Sequence, residues 1–117
     1  MDREEIVKYV DHKYHTQPAY LWKKYPTYAA LRHADNRKWY GLIMTVEKTQ
    51  LGLYDDGTEE IMDVKLDRKE VEFRQGTPGF LPAYHMNKSN WISIRIGLVD
   101  SKKIHDLIDT SYQLTEK

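Results

Sequence analysis

The sequence predicts a single α+β domain, residues 1–117, in which an antiparallel sheet carries its helices on one face. The length of 117 residues suits one domain, and a hydrophobic share of 40% is enough for one core. The predicted order is helix, β-hairpin, strand, helix, strand, helix. Because each helix has one apolar stripe, each is expected to lie on the sheet, which leaves the opposite sheet face open to water or to a partner.

The first helix is predicted to begin after Asp2 and to end before Pro18. Asp2 is a good N-cap residue, and Glu5 three positions later completes a capping box. Apolar residues then recur every four positions, and the residue before a proline avoids the helical region. Residues 18–27 are predicted to be a connection that includes a short extended piece.

The next segments are predicted to be a hairpin and a third strand. Residues 28–33 and 38–47 are rich in apolar and aromatic side chains, and the turn-like residues 34–37 lie between them. Residues 55–60 form a polar loop, and residues 61–66 alternate imperfectly between apolar and polar. That alternation predicts the third strand.

The second helix has a strong start signal, because Asp67 and Glu70 form a capping box. Gly76 and Pro78 supply its end. Residues 80–90 are predicted to be a loop or a ragged strand.

The last strand and helix follow directly. Residues 91–96 alternate between isoleucines and Trp91, Ser93 and Arg95, which is typical of a half-buried strand. Gly97 ends this strand. Asp100 or Ser101 is expected to cap the final helix, whose apolar positions recur at helical spacing.

The same alternation predicts which residues face away from the helices. We expect the isoleucines of the last strand, and the even-numbered residues 40–46 of the hairpin, to face the core. The open face would then carry aromatic and basic side chains from four strands, namely Tyr28, Arg32, Trp39, Lys65, Trp91 and Arg95. Such side chains suit nucleobases and phosphates, or a protein partner, although cross-strand packing alone also explains them.

Charge is balanced over the whole chain but not along it. The 18 basic and 18 acidic residues give a net charge of zero, which excludes a strongly basic nucleic-acid binder. Residues 20–48 nevertheless include six basic and two acidic residues. Residues 81–105 include four basic residues and one acidic residue. A neutral protein with this distribution can have a basic side.

The sequence predicts a binding protein rather than an enzyme, with no cofactor and no metal. It has no cysteine, no phosphate-binding glycine loop and no serine in a nucleophile elbow. No apolar run is long enough to span a membrane, and the acidic, amphipathic start does not resemble a signal peptide. We therefore expect a cytoplasmic monomer that does not associate with membranes.

Two motifs resemble a known family. The first consists of His85, Met86, Asn87, Lys88 and Trp91, and the second of Ile108, Asp109, Ser111 and Tyr112. In this order and separation they resemble the MmcQ/YjbR family of small bacterial proteins. The resemblance implies a CyaY-like (frataxin-like) fold with double-wing hairpins, and DNA binding. An iron-handling role does not carry over, because the acidic residues of the first helix are interleaved with basic ones.

The function predicted from these observations is DNA binding of low sequence specificity. The residues expected to contact the nucleic acid are Arg32, Arg37, Lys38, Trp39, Lys65, Asn87, Lys88, Trp91 and Arg95. Two alternatives stay open: a protein-interaction module that uses the same aromatic face, and a small-ligand site near His85. Structural roles are also predicted for motif residues: Asn87 would hold a turn, Tyr112 would lock the last helix to the sheet, and Asp109 would bond the backbone or Lys88.

Overall fold

The computed structural model describes residues 1–116 as a five-stranded antiparallel sheet with three helices. The elements are α1 (Arg3–Tyr14), β1 (Ala29–Arg32), β2 (Trp39–Glu47), β3 (Thr58–Lys65), α2 (Arg68–Arg74), β4 (Phe80–Pro82), β5 (Trp91–Arg95) and α3 (Ser101–Leu114). The strands lie in the order β1-β2-β3-β5-β4. The predicted α+β class is confirmed.

The helix starts agree with the capping signals in the sequence. The Asp2 carboxylate accepts a hydrogen bond from the Glu5 backbone N–H at 2.9 Å, and the Asp67 carboxylate accepts one from the Glu70 N–H at the same distance. Each bond satisfies one of the amide groups that the first turn of a helix leaves unpaired. Helix α1 ends at Tyr14, before the predicted stop, because the next residue is left-handed, with a φ of 56°.

The strands differ from the prediction at two places. Strand β3 begins at Thr58 rather than at residue 61, because its first residues continue the ladder with β2 as far as Glu47. Strand β4 forms where a loop or ragged strand was expected, and it pairs with β5 at the sheet edge. It has only three residues and ends at Pro82, so it presents little strand signal in the sequence.

All three helices lie on one face of the sheet, as expected. The main core between them is made of buried side chains from every helix and every strand, including Ile6, Val10, Leu31, Ile43, Val64, Val71, Phe80, Ile94, Ile104 and Ile108. Burying this apolar surface is the main force that holds the helices to the sheet.

The predicted facing of β2 is wrong for three of its residues. Leu42, Met44 and Val46 lie on the face opposite the helices, in a second buried cluster, whereas Tyr40 faces the helices. The register between β1 and β2 shifts between Leu31 and Arg32, and this irregularity breaks the simple alternation along β2.

The sheet face opposite the helices is covered, so the expected open face is wrong. Ala19 forms an isolated bridge to Ala30, with both backbone hydrogen bonds at 2.9 Å, and this joins the start of the connection to the free edge of β1. Side chains from this connection and from residues 83–90 pack on the second cluster. The physical reason is that β2 is apolar on both faces, and both need cover from water.

Two kinds of site are not found in residues 1–116. No helix there is long and apolar enough to cross a membrane. Nor do three or more His, Asp or Glu side chains come together in a group that could hold a metal ion.

Candidate functional site

Three of the predicted nucleic-acid contacts are held in internal interactions. The Arg95 guanidinium forms a two-pronged ion pair with Glu59, whose side chain is 14% exposed. The Lys88 ammonium donates a hydrogen bond to the Ala83 carbonyl at 2.8 Å, and so ties down its own loop. Trp91 is 9% exposed. The predicted platform across four strands is therefore not an exposed surface.

Three others each have a different local environment. The Asn87 side-chain oxygen accepts a hydrogen bond from the Ser89 backbone N–H at 2.8 Å, which is the predicted turn-holding role. Lys65 is half-buried and pairs with Trp91 in the sheet register. Arg32 is also half-buried and lines a different cleft, between the ends of α1 and α3.

Of the remaining three, Trp39 is brought to a cluster of aromatic rings, whereas Arg37 lines the same cleft as Arg32, and Lys38 is exposed in the turn before Trp39. Trp39 meets Trp22 of the connection with ring centroids 5.5 Å apart and planes at 84°. Trp22 also meets Tyr28, at 6.0 Å and 71°. Trp22 thus makes two edge-to-face contacts, and the three rings together form a corner.

These rings line a cavity of about 310 Å³, which we call the aromatic groove. Its lining consists of Trp22, Tyr25, Tyr28, Trp39, Leu42, His85 and Met86. Tyr25 stacks on Tyr28 with centroids 4.8 Å apart and is 42% exposed, so the groove reaches solvent. None of the described lining residues is acidic.

Exposed cations adjoin two of the groove residues in the sequence. Lys23 and Lys24 follow Trp22 in the connection, and Arg37 and Lys38 precede Trp39 in the β1–β2 turn; all four are exposed. Between residues 20 and 40 the sequence has five basic residues and one acidic residue, Asp35. Within residues 1–116, Lys23, Lys24 and Arg37 make no ion pair, so their charges face solvent.

His85 forms part of the groove wall with a strained backbone. Its φ of 68° is in the left-handed region, which is uncommon for a residue with a side chain. The ring is exposed and lies 4.0 Å from the Tyr84 ring and 6.0 Å from the Tyr28 ring, centroid to centroid. Strain of this kind is concentrated at functional sites.

A buried carboxyl group lies beside the groove floor. Asp63 is fully buried and pairs with Leu42 in the β2–β3 register. The Ser93 hydroxyl donates a hydrogen bond to its Oδ1, but Oδ2 has no hydrogen-bond partner within residues 1–116. Burial raises the pKa of Asp63 to about 7, although the Ser93 hydrogen bond and the Lys88 charge act in the opposite direction.

The motif on α3 is a structural clamp. The Asp109 carboxylate accepts hydrogen bonds from the hydroxyls of Tyr9 and Tyr14, at 2.8 and 2.6 Å, and from the Lys13 ammonium at 2.8 Å. Partial burial works against ionisation, but these three hydrogen bonds hold the pKa of Asp109 below its usual value. The prediction that Asp109 bonds a backbone group or Lys88 is wrong. Its partners are side chains of α1, so Asp109 joins α3 to α1.

Ser111 and Tyr112 complete the clamp. The buried Ser111 hydroxyl accepts a hydrogen bond from the Lys65 N–H at 2.8 Å and donates one to the Tyr40 carbonyl at 2.7 Å. It therefore closes the end of the β2–β3 ladder. Tyr112 meets Tyr40 of β2 edge to face, with ring centroids 4.9 Å apart, which accords with its predicted role of locking the last helix to the sheet. It also stacks on Tyr14 of α1, with centroids 3.7 Å apart.

Several residues of the aromatic groove are not among the predicted site residues, notably Trp22, Lys23, Lys24 and Tyr25. The signal that points to them is the run of residues 20–28, where aromatic residues alternate with lysines inside a connection. Binding residues are disproportionately found on such segments. Tyr28 was expected on the outer face, and it does lie there.

Comparison with known proteins gives matches over nearly the whole chain. The protein is 44% identical over 117 residues to the uncharacterized protein YyaQ of Bacillus subtilis (strain 168), with 99% of each chain covered. A crystal structure of a protein from Pseudomonas syringae matches with a TM-score of 0.96 at 39% identity, over 99% of this chain and 100% of that one. A Deinococcus radiodurans protein with a DUF419 domain shares the fold, with a TM-score of 0.71 at 19% identity over 97% of this chain and 78% of that one. The YjbR family model matches residues 11–114, and the chain therefore belongs to the YjbR family.

Proposed function

We propose that the protein is a monomeric binding module, not an enzyme, that binds nucleic acid with low sequence specificity through the aromatic groove and its bordering cations. The observation that carries the proposal is the contact between Trp22 and Trp39, because each indole is next in sequence to two exposed cations: Lys23 and Lys24 follow Trp22, and Arg37 and Lys38 precede Trp39. This surface replaces the wider sheet face that the sequence suggested.

The chemistry of the groove suits this partner. Aromatic rings stack on bases of any sequence, and lysine and arginine neutralise backbone phosphates. With a net charge of zero, the attraction comes from a local patch rather than from the charge of the whole protein. Contacts with three or four phosphates give a slope of about −2 to −4 in a plot of log K against log salt, and affinity in the non-specific range of about 10⁻⁴–10⁻⁶ M at physiological salt.

The proposal includes the finer features that the family resemblance implies. In a frataxin-like, double-wing arrangement, the β1–β2 hairpin is a candidate wing, and its tip carries Arg37 and Lys38. A DNA partner also places the protein in the cytoplasm. A chain without cysteine suits that compartment, because it has no disulfide that the reducing cytosol could break.

The test is a titration of the ¹⁵N-labelled protein with a short mixed-sequence DNA, followed by amide chemical shifts at low and at physiological salt. We expect saturable, salt-sensitive shifts at Trp22, Lys23 and Trp39. The double variant Lys23→Glu/Lys24→Glu reverses two charges beside the groove and is expected to weaken binding at least tenfold.

The matched control is Lys102→Glu/Lys103→Glu. These two lysines are exposed in the first turn of α3, on the helix side of the sheet, and the change in net charge is identical. If the control variant weakens DNA binding as much as the groove variant does, the electrostatic attraction for DNA is not localised at the groove. An absence of shifts at low salt, where phosphate binding is strongest, refutes the proposal.

A protein partner is a second candidate, because apolar side chains are exposed next to the groove. Tyr20 is 59% exposed and Leu21 is 48% exposed. Such side chains are typical anchors of protein interfaces. This candidate predicts binding that depends weakly on salt and is lost in Tyr20→Ser/Leu21→Ser, whereas nucleic-acid binding would survive that change.

A further inference from the structure

We propose that the aromatic groove holds one unstacked nucleobase, so that the protein prefers single-stranded nucleic acid to a duplex. The inference rests on the proposed function and specifies which form of the ligand the groove accepts. It is carried by the size of the groove, the angles between its rings, and the charge around it.

The size of the groove fits one planar ring system. Its volume of about 310 Å³ lies at the lower end of the range for small-molecule sites, about 300–1,000 Å³. A duplex offers no free base faces, because its bases are stacked on their neighbours. Only a base that has left the stack can enter a groove of this volume and bring its ring into contact with Trp22, Tyr28 or Trp39.

The ring angles provide two kinds of contact at once. The plane of Trp22 stands at 84° to Trp39 and at 71° to Tyr28. A flat ring that stacks on one of these faces presents its edge to a neighbouring face, and both arrangements are favourable for aromatic pairs. The three rings hold one another in these positions through their mutual contacts, so little ordering is needed on binding.

The charge around the groove selects an anionic ligand. Cages of aromatic rings also bind alkylated ammonium groups, through attraction between the cation and the ring faces. Here Lys23 and Lys24, both exposed, directly follow Trp22 in the chain, and no acidic residue lines the cavity within the described chain. These charges repel a cationic ligand and attract the phosphates on either side of an unstacked base.

The lining also explains why sequence specificity would be low. Leu42 and Met86 are apolar, and the tryptophan and tyrosine rings offer faces that every base can stack on. Base discrimination requires paired donors and acceptors that meet the base edge. Asp63, which pairs with the lining residue Leu42, is fully buried and is not part of the lining.

The experiment compares three fluorescein-labelled ligands of equal length and sequence at low salt: a single strand, the duplex, and a single strand whose central bases are replaced by abasic sites. Binding is read from anisotropy and from quenching of tryptophan fluorescence. We expect the intact single strand to bind about 5- to 150-fold more tightly than the abasic strand, which corresponds to loss of one stacked base. The duplex is expected to bind as weakly as the abasic strand.

Trp22 could affect binding by stacking on a base or by covering the second buried cluster. The variant Trp22→Leu, with Trp22→Phe as its control, distinguishes these two roles. Leucine keeps the apolar cover but removes the ring, so the preference for the intact single strand should disappear, whereas phenylalanine should largely restore it. Equal affinity for all three ligands overturns the inference and leaves the proposed function standing. If no ligand binds, the proposed function fails as well, and a preference for the duplex overturns the single-strand inference alone.

Discussion

The buried carboxyl of Asp63 predicts an unusual fall in stability as the pH rises. In the folded protein its pKa is about 7, against a usual value near 3.8, because the side chain is fully buried. A carboxyl group with a raised pKa stays protonated in the folded chain at a pH where the unfolded chain has already lost the proton. Its contribution to stability is therefore complete below about pH 4 and is lost as the pH rises through about 7.

The magnitude follows from the difference between the two pKa values. A shift of about three units corresponds to about 4 kcal/mol over the whole range, and about 2–3 kcal/mol of this falls between pH 5 and pH 8. Asp63→Asn removes ionisation but keeps an oxygen that accepts the Ser93 hydrogen bond. The difference in unfolding free energy between the two proteins should therefore change by about 2–3 kcal/mol across this pH interval, in favour of the variant at high pH.

Urea unfolding at a series of pH values, followed by circular dichroism, measures this difference. All other titrating groups are present in both proteins, so they cancel in the subtraction. A difference that stays constant from pH 5 to pH 8 would show that Asp63 is ionised throughout in the folded protein, and it would refute the assignment of a raised pKa.

Three further predictions concern the stability of the fold, each measured by urea unfolding of the variant and the parent protein. Ser111→Ala leaves the two backbone groups that its hydroxyl bridges without a partner and should cost about 2–4 kcal/mol; a loss under 0.5 kcal/mol would contradict the clamp. Asp109→Asn weakens the contact between α3 and α1 and should cost about 1–3 kcal/mol, less at low pH, where the native carboxylate is protonated. Gly79→Ala should cost more than Gly76→Ala, by about 1–3 kcal/mol, because both glycines are left-handed but only at Gly79 would a new Cβ meet a side chain, 2.5 Å from Val99. Equal losses in the two glycine variants would rule out the clash.

Local signals in the sequence predicted the fold well where one residue type dictates one geometry. The caps at Asp2 and Asp67 are confirmed because a carboxylate at that position has few alternatives to the free amide groups of the first turn. The facing of β2 could not be predicted by alternation, because it depends on a register shift against β1. The unbroken apolar run of residues 42–44 was the available sign that both faces of this strand are buried.

The candidate site was less predictable than the fold, for a physical reason. Trp39 was predicted from the strand pattern, and Arg37 and Lys38 as residues of a turn tip. Trp22 has no periodic pattern around it, and it meets Trp39 from a connection that is joined to β1 by the bridge of Ala19. Arg95 was expected to be open to a ligand because of the alternation along β5, and Lys88 because it lies at a turn tip. Arg95 is instead paired with Glu59, distant in sequence, and the exposed Lys88 donates a hydrogen bond to its own loop. A single sequence does not reveal such partners.

The bridge between Ala19 and Ala30 has a consequence for how the protein behaves at high concentration. It covers the outer edge of β1 at Ala30. The backbone amide and carbonyl groups there would otherwise be free to form hydrogen bonds with a strand from another molecule. The segment that covers this edge also carries Trp22 and Tyr25. Loosening it to accommodate a larger ligand would therefore also expose the edge, so resistance to aggregation limits how far the groove can open.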